Sequence, residues 1–308
     1  MNLVVIAVFL ILASTKLSLS AVYHLISGDR KPSQNPMRTV RTKFQRQCIS
    51  VCATWNACKS YSIQPGVNKK DSFECFFYEK IFDEDDLIKT QDSRYFVDPQ
   101  TCQDWYKIGG RVSGVYSINW MGREMKEVRC NMELEGGGWL VLLRRTNQFI
   151  QNFTREWNDY KEGFGDVRNE FWLGNDYLHE VTSCKKHLVL VYGQKKNGDK
   201  AISVYGSFAV ANEENLYRMT YNKTLLKGIE SFEFYNQNQD KSLYNVSFSS
   251  PDRDNDRVEN TNCAAEKGGG FWYSTCGNLH LLRPMRIRWY TFNGDGGLQE
   301  AQIMIKEM

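Results

Sequence analysis

The chain has 308 residues, 42% hydrophobic and 24% charged, and its 39 Lys and Arg against 36 Asp and Glu leave a formal charge of +3. That length accommodates two domains of ordinary size with packed cores. So small a charge excess excludes a binder driven by nucleic-acid phosphates, and no nucleic acid is expected as a partner.

In chain order, residues 1–20 come first, with an apolar run from Leu3 to Ala13, a single charge at Lys16, and small residues Ser18 and Ser20 before Ala21. This is the layout of a secretory signal peptide. No later apolar run reaches the roughly 20 residues that a membrane-spanning helix needs, so a secreted, extracellular product with no membrane span is expected. Nine cysteines and three sequons, at Asn152, Asn222 and Asn245, fit an oxidising and glycosylating route.

Residues 21–98 are expected to form a small domain, of a size at which a hydrophobic core alone is marginal and disulfides are common. Cys48, Cys52, Cys58 and Cys75 supply the staples. Disulfides are favoured over a zinc site in a secreted chain, and four cysteines allow three connectivities. Cys48 and Cys52, four residues apart, fall on one face of a predicted helix. Arg30, Lys31, Arg38, Arg41, Lys43 and Arg46 crowd the approach to that helix. They read as a solvated face, with a sulfated-glycan patch as the sharper alternative. A short connection, Val97-Asp98-Pro99-Gln100-Thr101, marks the domain boundary.

Downstream, Gly136-Gly137-Gly138-Trp139 lacks the spacing and the Lys-Ser/Thr of a phosphate loop and reads as a tight backbone approach inside a sheet. Asn169 to Thr182 predicts a helix, with Asn169 as its cap and Gly174 as its weak point. His187–Tyr192 and Ala201–Tyr205 predict two strands of a hairpin, turned at Lys196-Asn197-Gly198-Asp199. Strands with segregated helices make the fold class α+β. The four histidines, His24, His179, His187 and His280, belong to no nucleophile or metal signature, so the chain is not expected to be an enzyme.

The most informative stretch begins at Asp252. Asp252, Asp254 and Asp256 alternate, and carboxylates are the hard oxygen ligands Ca2+ takes. An EF-hand is excluded because its sixth and twelfth positions, Gly and Glu, are here Arg257 and Cys263. Cys263 and Cys276 would close a short ring around Gly268-Gly269-Gly270-Phe271-Trp272-Tyr273, a constraint worth about 3 kcal/mol on the loop-entropy model.

These residues resemble the calcium and ligand-binding region of the fibrinogen C-terminal globular domain. The resemblance extends over residues 102–308. It includes the Cys102–Cys130 pair, Gly136-Gly137-Gly138-Trp139, Arg144-Arg145, Trp157 with Tyr160, Gly163-Phe164-Gly165 and Glu170-Phe171-Trp172-Leu173-Gly174-Asn175-Asp176. In the first domain, Cys48 to Cys58 with Lys59-Ser60-Tyr61-Ser62, and Glu74-Cys75-Phe76-Phe77, resemble a PAN/apple domain. That resemblance implies the pairs Cys48–Cys75 and Cys52–Cys58, and a module that binds proteins or carbohydrates.

The fibrinogen-like resemblance implies a Ca2+ site formed by the carboxylates of Asp254 and Asp256 and the backbone carbonyls of Val258 and Asn260, with Asp252 supporting them from behind. It implies a ligand pocket against the Cys263–Cys276 disulfide, with Trp272 and Tyr273 as walls and a cis peptide at Thr275–Cys276. The pocket departs from the family pattern, since Lys267 stands where many acetyl-binding members have Tyr and Gly277 where many have His. Two functions follow. One is a calcium-dependent lectin-like binder of acetylated or anionic glycans in innate defence, with cationic contacts from Lys267 and Arg283. The other is an extracellular ligand or matrix component that meets a protein receptor or glycoprotein through the same surface. Cys184 is left over from the four pairs and either links two chains or stays buried.

Overall fold

A computed structural model of the chain describes residues 23–55, 57–66, 72–229, 235–236, 239–240, 242–276, 279–294 and 296–308. The expected signal peptide, residues 1–20, and Gly277 lie outside the described residues. The chain divides into two compact units, Met1–Gly138 and Trp139–Met308.

The first unit is built on five antiparallel strands: β1 (His24–Pro32), β2 (Arg38–Thr42), β3 (Ser60–Pro65), β4 (Phe73–Tyr78) and β5 (Leu87–Val97), in the order β1-β5-β3-β4-β2. The end of β5 shows why it is a strand: buried Ser93, Tyr95 and Val97 alternate with exposed Arg94 and half-buried Phe96. Helix α1 (Arg46–Ala53) packs on β3 and turns Cys48 and Cys52 inward, 0% and 1% exposed. Cys48 bonds Cys75, joining α1 to β4, and Cys52 bonds Cys58 across the turn after the helix.

Beyond this sheet, Asp98 is 4% exposed and accepts a 2.8 Å hydrogen bond from Asn119 Nδ2; burial pushes its carboxyl up to about 6. Helix α2 (Cys102–Lys107) starts at a reciprocal cap between Thr101 and Asp104. The hairpin β6 (Gly114–Trp120) and β7 (Glu124–Asn131) follows, and Cys102 bonds Cys130. Gly137 and Gly138 lie against Tyr106 and Gln103 of α2, so their close approach is to a helix and not inside a sheet.

The second unit contains β8 (Trp139–Thr146), α3 (Trp157–Glu162), β9 (Phe164–Gly165), β10 (Phe171–Trp172), α4 (Asn175–Cys184), β11 (His187–Lys195) and β12 (Lys200–Val210). Short strands β13 (Met219–Thr220), β14 (Leu225–Gly228), β15 (Tyr235–Asn236), β16 (Gln239–Asp240) and β17 (Phe248–Ser249) come next. Then come α5 (Cys263–Lys267), β18 (Phe271–Trp272), β19 (Leu279–His280), β20 (Arg288–Trp289), α6 (Tyr290–Asn293) and β21 (Leu298–Glu307). The main sheet runs β13-β12-β11-β21-β8-β10-β9, with the last strand of the chain at its centre. Leu140–Leu143, Val189–Tyr192 and Ala301–Ile305 are buried without interruption, as strands covered on both faces must be.

The expected hairpin forms, with Gln194 opposite Lys200 and Tyr192 opposite Ile202. The helix expected from Asn169 begins later, at Asn175. Phe171 and Trp172 are drawn into the sheet opposite Arg144 and Leu143, and Gly174, at φ 115°, makes the break between strand and helix. Asn169 donates its side-chain amide to Asp166 instead of capping the helix.

Candidate recognition site

The site rests on an aromatic floor. Strands β17 and β18 pair Phe248 with Trp272 and Ser249 with Phe271. The Trp272 ring packs edge-on to Phe248 at 5.2 Å and tilted against Trp172 at 6.0 Å, and its indole N–H donates to the Tyr217 carbonyl at 2.7 Å. Gly270 allows the closest approach: a Cβ there would lie 2.7 Å from Tyr160, whose hydroxyl accepts the Gly270 N–H at 2.9 Å. Trp272 and Tyr273 are 2% and 4% exposed, so neither ring is the open pocket wall the resemblance implied; both belong to the core. Burial raises the Tyr273 hydroxyl well above its ordinary range, and it donates to the Gly269 carbonyl.

The acidic loop hangs between β17 and α5, held by residues whose side chains point back into the fold. Asn255 donates its backbone N–H to the Ser249 hydroxyl oxygen and its side-chain amide to the Phe248 carbonyl. Asn262 caps α5 by accepting the Ala265 N–H at 2.9 Å and donates to the Ser250 and Pro251 carbonyls. Asp252 accepts the Trp157 N–H at 2.8 Å, at the start of α3, and the Ser250 hydroxyl at 2.7 Å. It therefore ties the loop to a helix start, where a negative charge is favourable. Beside it, the Arg253 guanidinium lies 4.2 Å over the Trp157 ring.

Asp254 and Asp256 stand together. Asp254 is exposed and accepts the Asp256 N–H at 3.1 Å, while half-buried Asp256 accepts the N–H groups of Val258 at 2.7 Å and Cys263 at 2.8 Å. Burial, and the charge of Asp254 beside it, raise the Asp256 carboxyl above its ordinary range despite those two backbone donors. A cation would reverse that pressure. Among the described residues no group of three or more His, Cys, Asp or Glu could hold a metal, so a cation here would depend on this carboxylate pair and on backbone oxygens. No hydrogen-bond donor among the described residues engages the carbonyls of Val258 and Asn260. Two carboxylates with open carbonyls fit a hard, oxygen-seeking cation with few protein charges.

Cys263 bonds Cys276. Thr275 and Cys276 are half-buried, and no cis peptide occurs among the described residues, so the Thr275–Cys276 bond is trans, the form favoured by about 3 to 4 kcal/mol at a non-proline residue. Lys267 is not an open cation: its Nζ donates to Glu266, and that hydrogen bond lowers the Glu266 carboxyl. Arg145, which sequence reasoning passed over as a site residue, is 1% exposed and donates to the carbonyls of Leu282 and Arg283. Its partner Glu170, also 1% exposed, lies 3.8 Å away and accepts from the backbone of Thr146 and Gln151. This buried pair holds the segment that carries Arg283; nothing in the sequence beyond adjacent Arg144-Arg145 pointed to it. Asn152, Asn222 and Asn245 are exposed, as is Cys184, a free thiol at the end of α4.

A disulfide-stapled loop on an aromatic core, next to a carboxylate pair, belongs to a domain of the α+β class. Residues 98–296 match the C-terminal globular domain of fibrinogen beta and gamma chains, and the chain belongs to this family of non-enzymatic domains. Human fibroleukin is 38% identical over 228 residues, which cover 67% of this chain and 50% of that protein. Bovine angiopoietin-4 is 33% identical over 220 residues, 67% of this chain and 42% of that one. The chain thus matches half or less of the length of these relatives. The fibrinogen-like globe domain of human ANGPTL6 superposes with a TM-score of 0.61 at 30% identity, over 68% of this chain and 96% of that one. Lamprey fibrin D-dimer, complexed with the peptide Gly-His-Arg-Pro-amide, gives 0.58 at 27% identity, over 67% of this chain and 73% of that one.

Proposed function

We propose that this is a secreted, calcium-dependent recognition protein whose fibrinogen-like domain binds a protein or peptide ligand. The observation that carries the calcium part is the Asp254–Asp256 pair, in which burial and like charge raise the Asp256 carboxyl while the Val258 and Asn260 carbonyls stay open. Asp254, Asp256, Val258 and Asn260 would hold the ion, and Asp252 would fix the loop that carries them. So few protein charges suit a weak site, with a Kd of about 10⁻⁴ to 10⁻³ M, sufficient in extracellular fluid. The protein reading is preferred because Trp272 and Tyr273 are core residues and Lys267 is paired with Glu266, which removes the walls and one of the two cations of a glycan pocket. The fibrin relative's peptide complex agrees with it. The lectin-like reading, acetylated or anionic glycans bound in innate defence, would then rest on Thr275, Cys276 and Gly277.

We assign residues 21–98 to a PAN/apple-like domain, on the support of α1 held by Cys48–Cys75 and Cys52–Cys58, and residues 102–308 to the fibrinogen-like domain. Exposed Asn152, Asn222 and Asn245 would carry glycans, and exposed Cys184 would link two chains, seen as a dimer on non-reducing gels that Cys184→Ser abolishes. The central experiment screens the protein on peptide and glycan arrays in millimolar calcium and in chelator. Calcium-dependent binding to peptides alone is expected. Binding to glycans alone would restore the lectin reading, and binding indifferent to calcium on both arrays would remove the metal from the function.

A further inference from the structure

From Arg30 to Lys70 the sequence carries nine Lys or Arg and no Asp or Glu, so a chain of net +3 holds a +9 segment and a remainder of −6. The structure sorts these cations. Arg41 is paired with Glu74 at 2.8 Å, and Lys59 donates to Gln100. Arg38, Lys43 and Arg46 are exposed, as is Arg94 of β5, and among the described residues none of the four is ion-paired. They gather around α1. Arg46 opens the helix and Lys43 precedes it, while Arg94 reaches its start by donating to Gln45 at 3.4 Å. Arg38 lies over the Trp55 ring, just past the helix end. Eight residues make the helix about 12 Å long, so the cations line one helix length.

Two further observations separate this face from an ordinary solvated one, which would mix charges of both signs. The first turn of α1 contains no acidic residue, so the helix start adds its partial positive charge to the cluster. Phe44 is 47% exposed in the middle of it, with Lys43 and Arg46 at 5.9 and 5.1 Å from its ring centre. Strand β2 is the edge of its sheet, and among the described residues no further strand pairs with it on this side.

We infer that the face built by β2, the following turn and α1 binds a linear sulfated polysaccharide through Arg38, Lys43, Arg46 and Arg94, with Phe44 against a sugar ring. Sulfate and carboxylate groups repeated along such a chain match guanidinium forks and an ammonium point charge. The aromatic ring supplies an apolar surface for the C–H face of a sugar, a contact that a purely phosphate ligand would not use. This surface is independent of the acidic loop and requires no calcium.

The test uses the full chain on immobilised heparin at about 0.15 M salt, with chelator present. Retention is expected. The R38E/K43E/R46E triple variant should elute in the wash, and the slope of log affinity against log salt should fall by about 2 to 3. Arg41→Ala, which removes a cation already neutralised by Glu74, should elute with the wild type. If the triple variant fails to form its disulfides, the single variants R38A, K43A and R46A replace it, each expected to elute at lower salt. Wild-type protein that is not retained overturns the inference, as does a folded triple variant, or a full set of single variants, retained like the wild type. Equal binding to desulfated heparin, duplex DNA or phosphatidylserine vesicles would show a general anion surface and also overturn the assignment.

Discussion

The acidic loop from Asp252 to Asn260 and the cysteine-closed loop from Cys263 to Cys276 are adjacent in sequence and opposite in what surrounds them. In the first, Asp254 and Asn260 are exposed and the polar side chains bend back to fix the backbone. In the second, Phe271, Trp272 and Tyr273 are buried, and the loop serves as the floor of the site. The difference shows that a disulfide-bounded, glycine-rich aromatic loop is not by that composition a binding surface. Whether its rings meet a ligand depends on whether another part of the chain already covers them, and here Trp172, Tyr217 and Phe248 do.

The largest effect that tests this contrast is Trp272→Ala, expected to cost about 3 to 5 kcal/mol in denaturant unfolding, because a large buried ring is lost. A loss below about 1 kcal/mol, as for a surface position, would break the comparison. The next tests burial on a carboxylate of the first unit. Asp98 has its folded value raised to about 6 by burial, so its stabilising contribution is complete below the ordinary carboxylate range and is lost as pH rises through about 6. The wild type should lose about 2 to 3 kcal/mol between pH 4 and 7 from this group, and Asp98→Asn should flatten that slope in unfolding curves across the range. Asp254→Ala is expected to change calcium-free stability little. At 10 mM calcium it should forfeit the roughly 1.4 to 2.7 kcal/mol that a weak site would add, seen as loss of the calcium-dependent rise in melting temperature. An undiminished rise would place the ion elsewhere.

Much of the fold was legible in the sequence where the signal is local. The four-residue spacing of Cys48 and Cys52 placed both on the inner face of α1, and alternation with a Lys-Asn-Gly-Asp turn located the hairpin of β11 and β12. The helix expected from Asn169 was misplaced because Phe171 and Trp172 pair with residues of β8, a preference for distant partners that no local period reports. The positioning residues of the site divide in the same way. Asn262, an Asn directly before the short helix α5, carried a readable capping signal. Arg145 carried no local signal beyond its place in the Arg144-Arg145 pair, because its acceptors at Leu282 and Arg283 lie 137 and 138 residues further along the chain.

The order of ligand types around Asp254 and Asp256, the cysteine framework of the first unit and the one-signed segment from Arg30 to Lys70 are properties of the chain alone, since they depend only on residue type and spacing. Which side chains face solvent was settled only by packing. Folding drew Trp272 and Tyr273 inward, paired Lys267 with Glu266, and left Phe44 and its flanking cations uncovered. The physical reason is that burial depends on what the rest of the chain brings to a residue, and that is decided by contacts far removed in sequence.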